Sequence, residues 1–141
     1  MTNSTELLLE HTKATLSFNQ DTNCIELIWK QFQDEQTYKM LFNKGLNSLI
    51  EKKATCWLSD IRNEGVVGPS TSNWMKTEIL PVAFKNGLQK IAIVMDADVF
   101  KTFYVKNFET IKEASLKMRY FDSIDDARKW LKEEVVASAA N

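Results

Sequence analysis

The run Ile91-Ala92-Ile93-Val94-Met95 limits the fold of this chain more than any other feature. It is rich in β-branched residues and no polar residue interrupts it, which is typical of a strand that is buried on both faces. Such strands lie inside parallel sheets, where the crossover connections between strands are usually helices. The run therefore predicts an α/β domain with this segment as a central strand.

The segments on either side of this run alternate between strand and helix patterns. Apolar residues at every second position predict a hairpin that pairs residues 14–18 with residues 25–29. Asp34 is the predicted N-cap of a helix that continues to Ile50 with apolar residues at three-four spacing. The other predicted elements are a strand at 56–58, a helix at 72–86 that Pro81 kinks or breaks, a helix at 98–115, a strand at 118–121 and a helix at 124–135.

The resulting order, β-β-α-β-α-β-α-β-α, predicts a mixed, mostly parallel sheet with right-handed crossovers. The 141 residues suit a single domain, which we expect over residues 14–135. Residues 1–13 are polar apart from Leu7-Leu8-Leu9 and are predicted to form a flexible N-terminal segment. Residues 136–141 follow no pattern and are predicted to form a frayed tail.

Three sets of residues carry a family resemblance: Trp57-Leu58-Ser59-Asp60-Ile61-Arg62-Asn63; Trp74, Glu78, Pro81, Gly87, Lys90, Ala92 and Val94 followed by Asp98-Val99-Phe100; and Arg119-Tyr120-Phe121-Asp122-Ser123 with Ala127, Trp130 and Leu131. Together they resemble a group of small bacterial proteins of the STAS-like class, named for sulfate transporters and anti-sigma-factor antagonists. The resemblance runs from about residue 14 to residue 135. It implies a STAS-like fold and a non-enzymatic regulatory module that binds a protein partner or a small ligand.

The composition excludes several classes of protein. The formal net charge is −1, which gives no overall field to hold a nucleic acid. The only histidine is His11, and Cys24 and Cys56 match no metal or redox spacing, so we expect no metal and no cofactor. No apolar run approaches the roughly 20 residues that span a bilayer. The first residues lack the features of a signal peptide, and we expect a cytoplasmic protein.

The segment 61–71 is the most irregular part of the chain, and the candidate binding residues surround it. Asp60 follows a predicted strand and therefore lies at the carboxyl edge of the sheet, where open α/β proteins bind ligands. Arg62 and Asn63 are candidates for the mouth of a pocket, and Trp74 is a candidate for covering a cavity or a partner. The alternatives are a local ion pair of Asp60 with Arg62 and core packing of Trp74.

The resemblance raises a phosphorylation switch as a second hypothesis, because the related antagonists carry a phosphorylated serine in an Asp-Ser-Ser-Gly-like motif at a helix N-terminus. The corresponding junction here reads Gly68-Pro69-Ser70-Thr71-Ser72 and lacks that motif. Ser70 and Ser72 are the candidate phosphorylation sites. A third hypothesis, an enzyme that uses carboxylates such as Asp60, requires two or more ionisable groups that converge in a cleft.

An aromatic stripe of Phe100, Phe103, Tyr104 and Phe108 occurs at helical spacing. Core packing is its first interpretation, because such stripes usually face the interior. An apolar small-molecule pocket and a homodimer face are the alternatives. Anionic small ligands are also compatible with the donors of a helix N-terminus near Trp74.

Overall fold

All five predicted strands and one further strand, β1, form in the computed structural model, which describes residues 4–99 and 117–140. The strands are β1 (Thr5–Glu10), β2 (Ala14–Asn19), β3 (Cys24–Trp29), β4 (Cys56–Asp60), β5 (Lys90–Val94) and β6 (Lys117–Phe121). They form one sheet in sequence order. The pairs β1–β2 and β2–β3 are antiparallel, and the three pairs from β3 to β6 are parallel. The predicted mixed, mostly parallel sheet is confirmed, and residues 91–94 lie inside it between two neighbouring strands.

The described helices are α1 (Glu35–Lys52), α2 (Pro69–Trp74), a π-helical turn (Met75–Ile79), α3 (Leu80–Lys85) and α4 (Ile124–Ala140). Asp34 caps α1 as predicted, since its carboxylate accepts from the backbone N–H of Thr37 at 3.1 Å. Helix α2 begins earlier than predicted, with Pro69 in its first turn and Gly68 as the N-cap. The predicted helix over 98–115, with its aromatic stripe, falls largely outside the described residues.

Pro81 disturbs its helix as predicted, and the disturbance has a specific form. A proline in a helix removes one backbone donor and crowds the carbonyl four residues earlier, here that of Thr77. The π-helical turn over Met75–Ile79 ends two residues before Pro81 and contains Thr77. The Thr77 hydroxyl donates to the carbonyl of Asn73 at 3.0 Å.

Both chain ends are more regular than the sequence predicts. The segment predicted to be flexible contains β1, whose backbone pairs with β2 at the edge of the sheet. A register shift between Leu7 and Leu9 marks a bulge, which explains why three leucines in a row occur in a strand that shows no alternation. At the other end α4 continues to Ala140, through most of the predicted frayed tail.

The sheet separates two apolar clusters. The larger cluster lies under α1 and the α2–α3 helices, and the smaller one lies under α4. Gly45 of α1 permits a close approach in the larger cluster, because a Cβ there would lie 2.3 Å from the Trp57 ring. Cys24 and Cys56 are register partners in the smaller cluster, and both are free and buried. None of the described helices has the length and apolar character needed to cross a membrane.

Candidate ligand-binding site

A cavity of about 350 Å3 lies between the sheet and the helices on the α1 side. Its floor consists of side chains that share one face of adjacent strands, because the register places Trp57 beside Ile91 and Ser59 beside Ile93. Tyr120 of β6 continues this row next to Ile93. The cavity reaches the carboxyl ends of the parallel strands, which is the edge where open α/β proteins bind their ligands.

The walls of the cavity are almost entirely apolar and include a cluster of aromatic rings. Tyr38 and Phe42 of α1 lie with their ring centroids 4.5 Å apart, and Phe42 stacks on Trp57 at 5.3 Å. The described lining residues outside the sheet floor are Tyr38, Phe42, Ile61, Glu64, Ser72, Met75, Ile79, Leu80, Ala83, Leu88 and Met95. A concave apolar surface with few polar groups is the usual form of a small-molecule site.

Two small residues and the π-helical turn explain why this space stays open. Ser59 and Ala83 line it from the sheet and from α3, where larger side chains would fill it. The indole N–H of Trp57 donates to the Ser59 hydroxyl at 2.8 Å, so these two polar groups satisfy each other. Met75 and Ile79, at the two ends of the π-helical turn, both line the cavity. Single π-helical turns of this kind are frequent at functional sites.

Glu64 brings the only carboxyl group among the described lining residues. Its backbone N–H donates to the carbonyl of Ile61 at 3.2 Å, and its own carbonyl accepts from Gln33 at 2.9 Å. The next residue, Gly65, has a φ of +81°, and a Cβ there would lie 3.1 Å from the Phe32 ring, so glycine suits this turn. These contacts fold the loop inward and leave Glu64 only 7% exposed.

Burial raises the pKa of the Glu64 carboxyl to about 7, because the apolar surroundings disfavour its charged form. Burial and then the neighbouring Glu64 carboxyl raise the pKa of the Tyr38 phenol well above its usual value. Burial also raises the pKa of Tyr120. The ionisable groups of the described lining are therefore one carboxyl that titrates near neutral pH and two phenols that stay neutral.

The candidate residues Asp60, Arg62 and Asn63 do not line this cavity. Asp60 shares the strand alternation of Leu58, which faces α4, and the Arg62 guanidinium holds its carboxylate with two hydrogen bonds of 2.6 and 2.9 Å. The side-chain amide of Asn63 donates to the carbonyl of Trp29 at 3.4 Å. These contacts fix the loop to the sheet, which matches the alternative of a local ion pair.

Trp74, Ser70 and Ser72 lie around the cavity at different depths. Trp74 is half-buried against the outer side of Tyr38, with an edge-to-face contact of 6.5 Å between ring centroids, and the Lys39 ammonium lies 5.4 Å from its ring. Ser70 is exposed in the first turn of α2, whereas Ser72 is half-buried and lines the cavity. The structure therefore brings Ser72, but not Ser70 or Trp74, to the cavity itself.

Sequence reasoning missed Glu64 and most of the lining. Glu64 lies in an irregular loop without periodicity, so no pattern marks it as buried. Its inward position depends on the 31–33 segment, which is more than 30 residues away along the chain and contributes the Gln33 contact. The runs at 56–58 and 91–95 predicted buried strands, but an unbroken apolar run does not indicate which side chains share a face or that space remains above them.

The arrangement combines an apolar concave surface with a single carboxyl group among its described lining residues. The described lining contains no histidine, cysteine or lysine, and its aliphatic hydroxyl groups are those of Ser59 and Ser72. Glu64, Tyr38 and Tyr120 are ionisable groups that converge in this cavity, so a carboxylate-based enzyme stays a prediction, with Glu64 and not Asp60 as the carboxylate in the cleft. His11 is in the turn after β1, where its Nδ1 accepts from the backbone N–H of Lys13 at 3.0 Å. Across the described residues no group of three His, Cys, Asp or Glu side chains could hold a metal ion.

Comparison with known proteins gives one result. A family model described as SpoIIAA-like matches residues 24–132, which covers β3 through most of α4 and every described lining residue of the cavity. Neither the curated proteins nor the solved structures that were searched contain a match.

Proposed function

The chain belongs to the SpoIIAA-like family, and on that basis we propose that it is a regulatory module that binds a small apolar ligand and catalyses no reaction. The observation that carries this proposal is the cavity of about 350 Å3 with its aromatic and aliphatic lining. Ligand sites generally have volumes of about 300–1,000 Å3, so this one is at the small end. A ligand in this cavity would contact α2 and α3, and could thereby change a surface of these helices to which a partner protein binds.

The volume limits the size of the ligand. A dry apolar cavity of about 150 Å3 holds one benzene molecule, so about 350 Å3 corresponds to roughly 10–15 non-hydrogen atoms. An eight- to ten-carbon chain with a small polar end fits this range, whereas a two-chain lipid does not. The free, buried Cys24 and Cys56 agree with a reducing compartment such as the cytoplasm.

A phosphorylation-switched interaction domain is the second candidate, and the exposure of Ser70 favours it. This serine lies in the first turn of α2, close in sequence to Val66, which is 92% exposed. A phosphate on Ser70 would place negative charge beside apolar surface and oppose the docking of a partner protein. Phosphate at Ser72 would instead point at the cavity. Mass spectrometry of the protein from its native cells distinguishes Ser70 modification, Ser72 modification and neither.

Replacing Ala83 with Phe should weaken ligand binding at least tenfold and leave the fold intact. Ala83 is 3% exposed and lines the cavity, so the added ring occupies the space that a ligand would take. The measurement is tryptophan fluorescence during titration with octanol, because Trp57 is part of the lining. We expect saturable quenching or a spectral shift in the wild type and at least a tenfold loss of affinity in Ala83→Phe.

The matched control is Val82→Phe on the same helix. Val82 is 40% exposed and is not a lining residue, so its replacement should bind octanol as the wild type does. Equal octanol affinity in all three proteins would contradict the assignment of the binding site. Thermal unfolding of each variant shows whether it is folded.

A further inference from the structure

We propose that the cavity selects apolar molecules that carry one protonated primary amine, with the carboxylate of Glu64 as the counter-ion. This inference rests on the proposed function and narrows its ligand class.

Buried charged side chains elsewhere in the described residues have partners of their own. Glu26, 1% exposed, accepts two hydrogen bonds from Arg128 and one from Asn19. Asp60, 2% exposed, accepts two hydrogen bonds from the guanidinium of Arg62 and one from its backbone N–H. Lys90, also 2% exposed, donates to the carbonyl of Leu131.

Glu64 differs from these three residues. Its side chain is 7% exposed and has no hydrogen-bond or ion-pair partner within residues 4–99 and 117–132. A buried carboxylate without a cation is costly, because the protein interior does not replace the lost hydration. A cation delivered by the ligand would replace it.

The surroundings of Glu64 favour a cation over an anion or a neutral polar group. The described lining contains no lysine or arginine, so among these residues a ligand carboxylate would meet a second carboxyl and no cation. An ammonium group donates a charge-assisted hydrogen bond to the Glu64 carboxylate, and such a bond is about twice as strong as a neutral one. The rings of Tyr38, Phe42 and Trp57 also line the cavity, and aromatic rings tolerate a nearby cation better than a nearby anion.

Binding of an amine should depend on pH and should release a proton. The phenol of Tyr38 on α1 lies close enough to Glu64 to feel its charge, and the phenol of Tyr120 on β6 is the other ionisable group of the described lining. Burial keeps both phenols neutral. Burial also raises the pKa of Glu64 to about 7, so much of the carboxyl is protonated at neutral pH. An ammonium ion stabilises the ionised form, and its affinity should therefore rise as the pH increases through about 7.

The test compares three probes of equal chain length: octylamine, octanol and octanoate. Isothermal titration at pH 8 measures each probe with the wild type, with Glu64→Gln and with Glu78→Gln. Glu78 is an exposed glutamate in the π-helical turn and serves as the matched control. In the wild type and in Glu78→Gln we expect octylamine to bind at least tenfold tighter than octanol, and octanoate to bind most weakly.

In Glu64→Gln the preference for octylamine over octanol should fall to less than threefold, while the affinity for octanol is retained. At pH 5.5 the same loss of preference should occur in the wild type. This inference is wrong if octanol binds the wild type and octylamine binds no tighter than octanol. It is also wrong if octylamine still binds tighter than octanol by the same factor in Glu64→Gln. In both cases the proposed function stands. If none of the three probes binds the wild type, the proposed function itself is wrong.

Discussion

Glu64→Gln is expected to raise the free energy of unfolding at pH 8 by about 3 kcal/mol relative to the wild type. Burial raises the pKa of this carboxyl from 4.5 to about 7. A raised carboxyl pKa means that the folded state binds the proton more tightly than the unfolded state. The stability from this group is therefore fully present below pH 4.5 and is lost as the pH rises to about 7. At about 1.4 kcal/mol per pKa unit, the loss is about 3 kcal/mol.

Denaturant unfolding at pH 4.5, 6, 7 and 8 measures this effect. Wild type and Glu64→Gln should be similar at pH 4.5, where both side chains are neutral, and should diverge as the pH rises. The control Glu78→Gln replaces an exposed carboxyl and should follow the wild type within about 0.5 kcal/mol. Parallel curves for wild type and Glu64→Gln across this range would show that Glu64 is not buried as described.

Arg128→Ala is expected to destabilise the fold by about 3–5 kcal/mol. Arg128 of α4 donates to both oxygens of Glu26, at 2.7 and 3.0 Å, and Glu26 on β3 is 1% exposed. Removing the guanidinium leaves a carboxylate inside the sheet, and within the described part of the chain the Asn19 amide is then its one hydrogen-bond donor. Breaking a buried pair costs more than the pair contributes, because the remaining charge is not compensated.

Two further variants separate this mechanism from a general loss of α4 packing. Lys132→Ala removes an ion pair with Asp21. Because the Lys132 and Asp21 side chains are 58% and 51% exposed, the free energy of unfolding should fall by at most about 1 kcal/mol. Glu26→Leu combined with Arg128→Leu removes both charges and should recover most of the stability that Arg128→Ala loses. A double variant as unstable as Arg128→Ala would contradict the explanation. Chemical denaturation at pH 7 gives all of these values.

The helices and strands with regularly spaced apolar residues were predictable, because that spacing is a property of the segment itself. The three-four spacing of α1 and the N-cap Asp34 act within one segment, and the structure reproduces both. The strand at 91–94 was readable as internal from its β-branched run alone. Strand β1 was missed because its bulge interrupts the alternation and because edge pairing with β2 depends on backbone groups that any sequence offers.

The candidate site was predictable only in part, because its polar group depends on contacts between distant segments. The strand order predicted a binding site at the carboxyl edge of the sheet, and the cavity extends to that edge. The loop residues Asp60 and Arg62 attracted attention as charged groups, yet they bind each other. Glu64 is buried through the turn at Gly65 and the Gln33 contact, and neither leaves a periodic signal. The Glu26–Arg128 pair joins residues 102 positions apart and has no local signal either.

Methyl NMR of methionine residues tests the central claim, that an apolar ligand occupies the cavity between the sheet and α1–α3. Met75, Met95 and Met118 line this cavity, whereas Met40 is 39% exposed on α1 and is not a lining residue. With 13C-labelled methionine methyl groups, titration with octanol should shift the three cavity signals together in a saturable manner and leave Met40 unchanged. Saturable binding of octanol that leaves Met75, Met95 and Met118 unshifted would contradict the account.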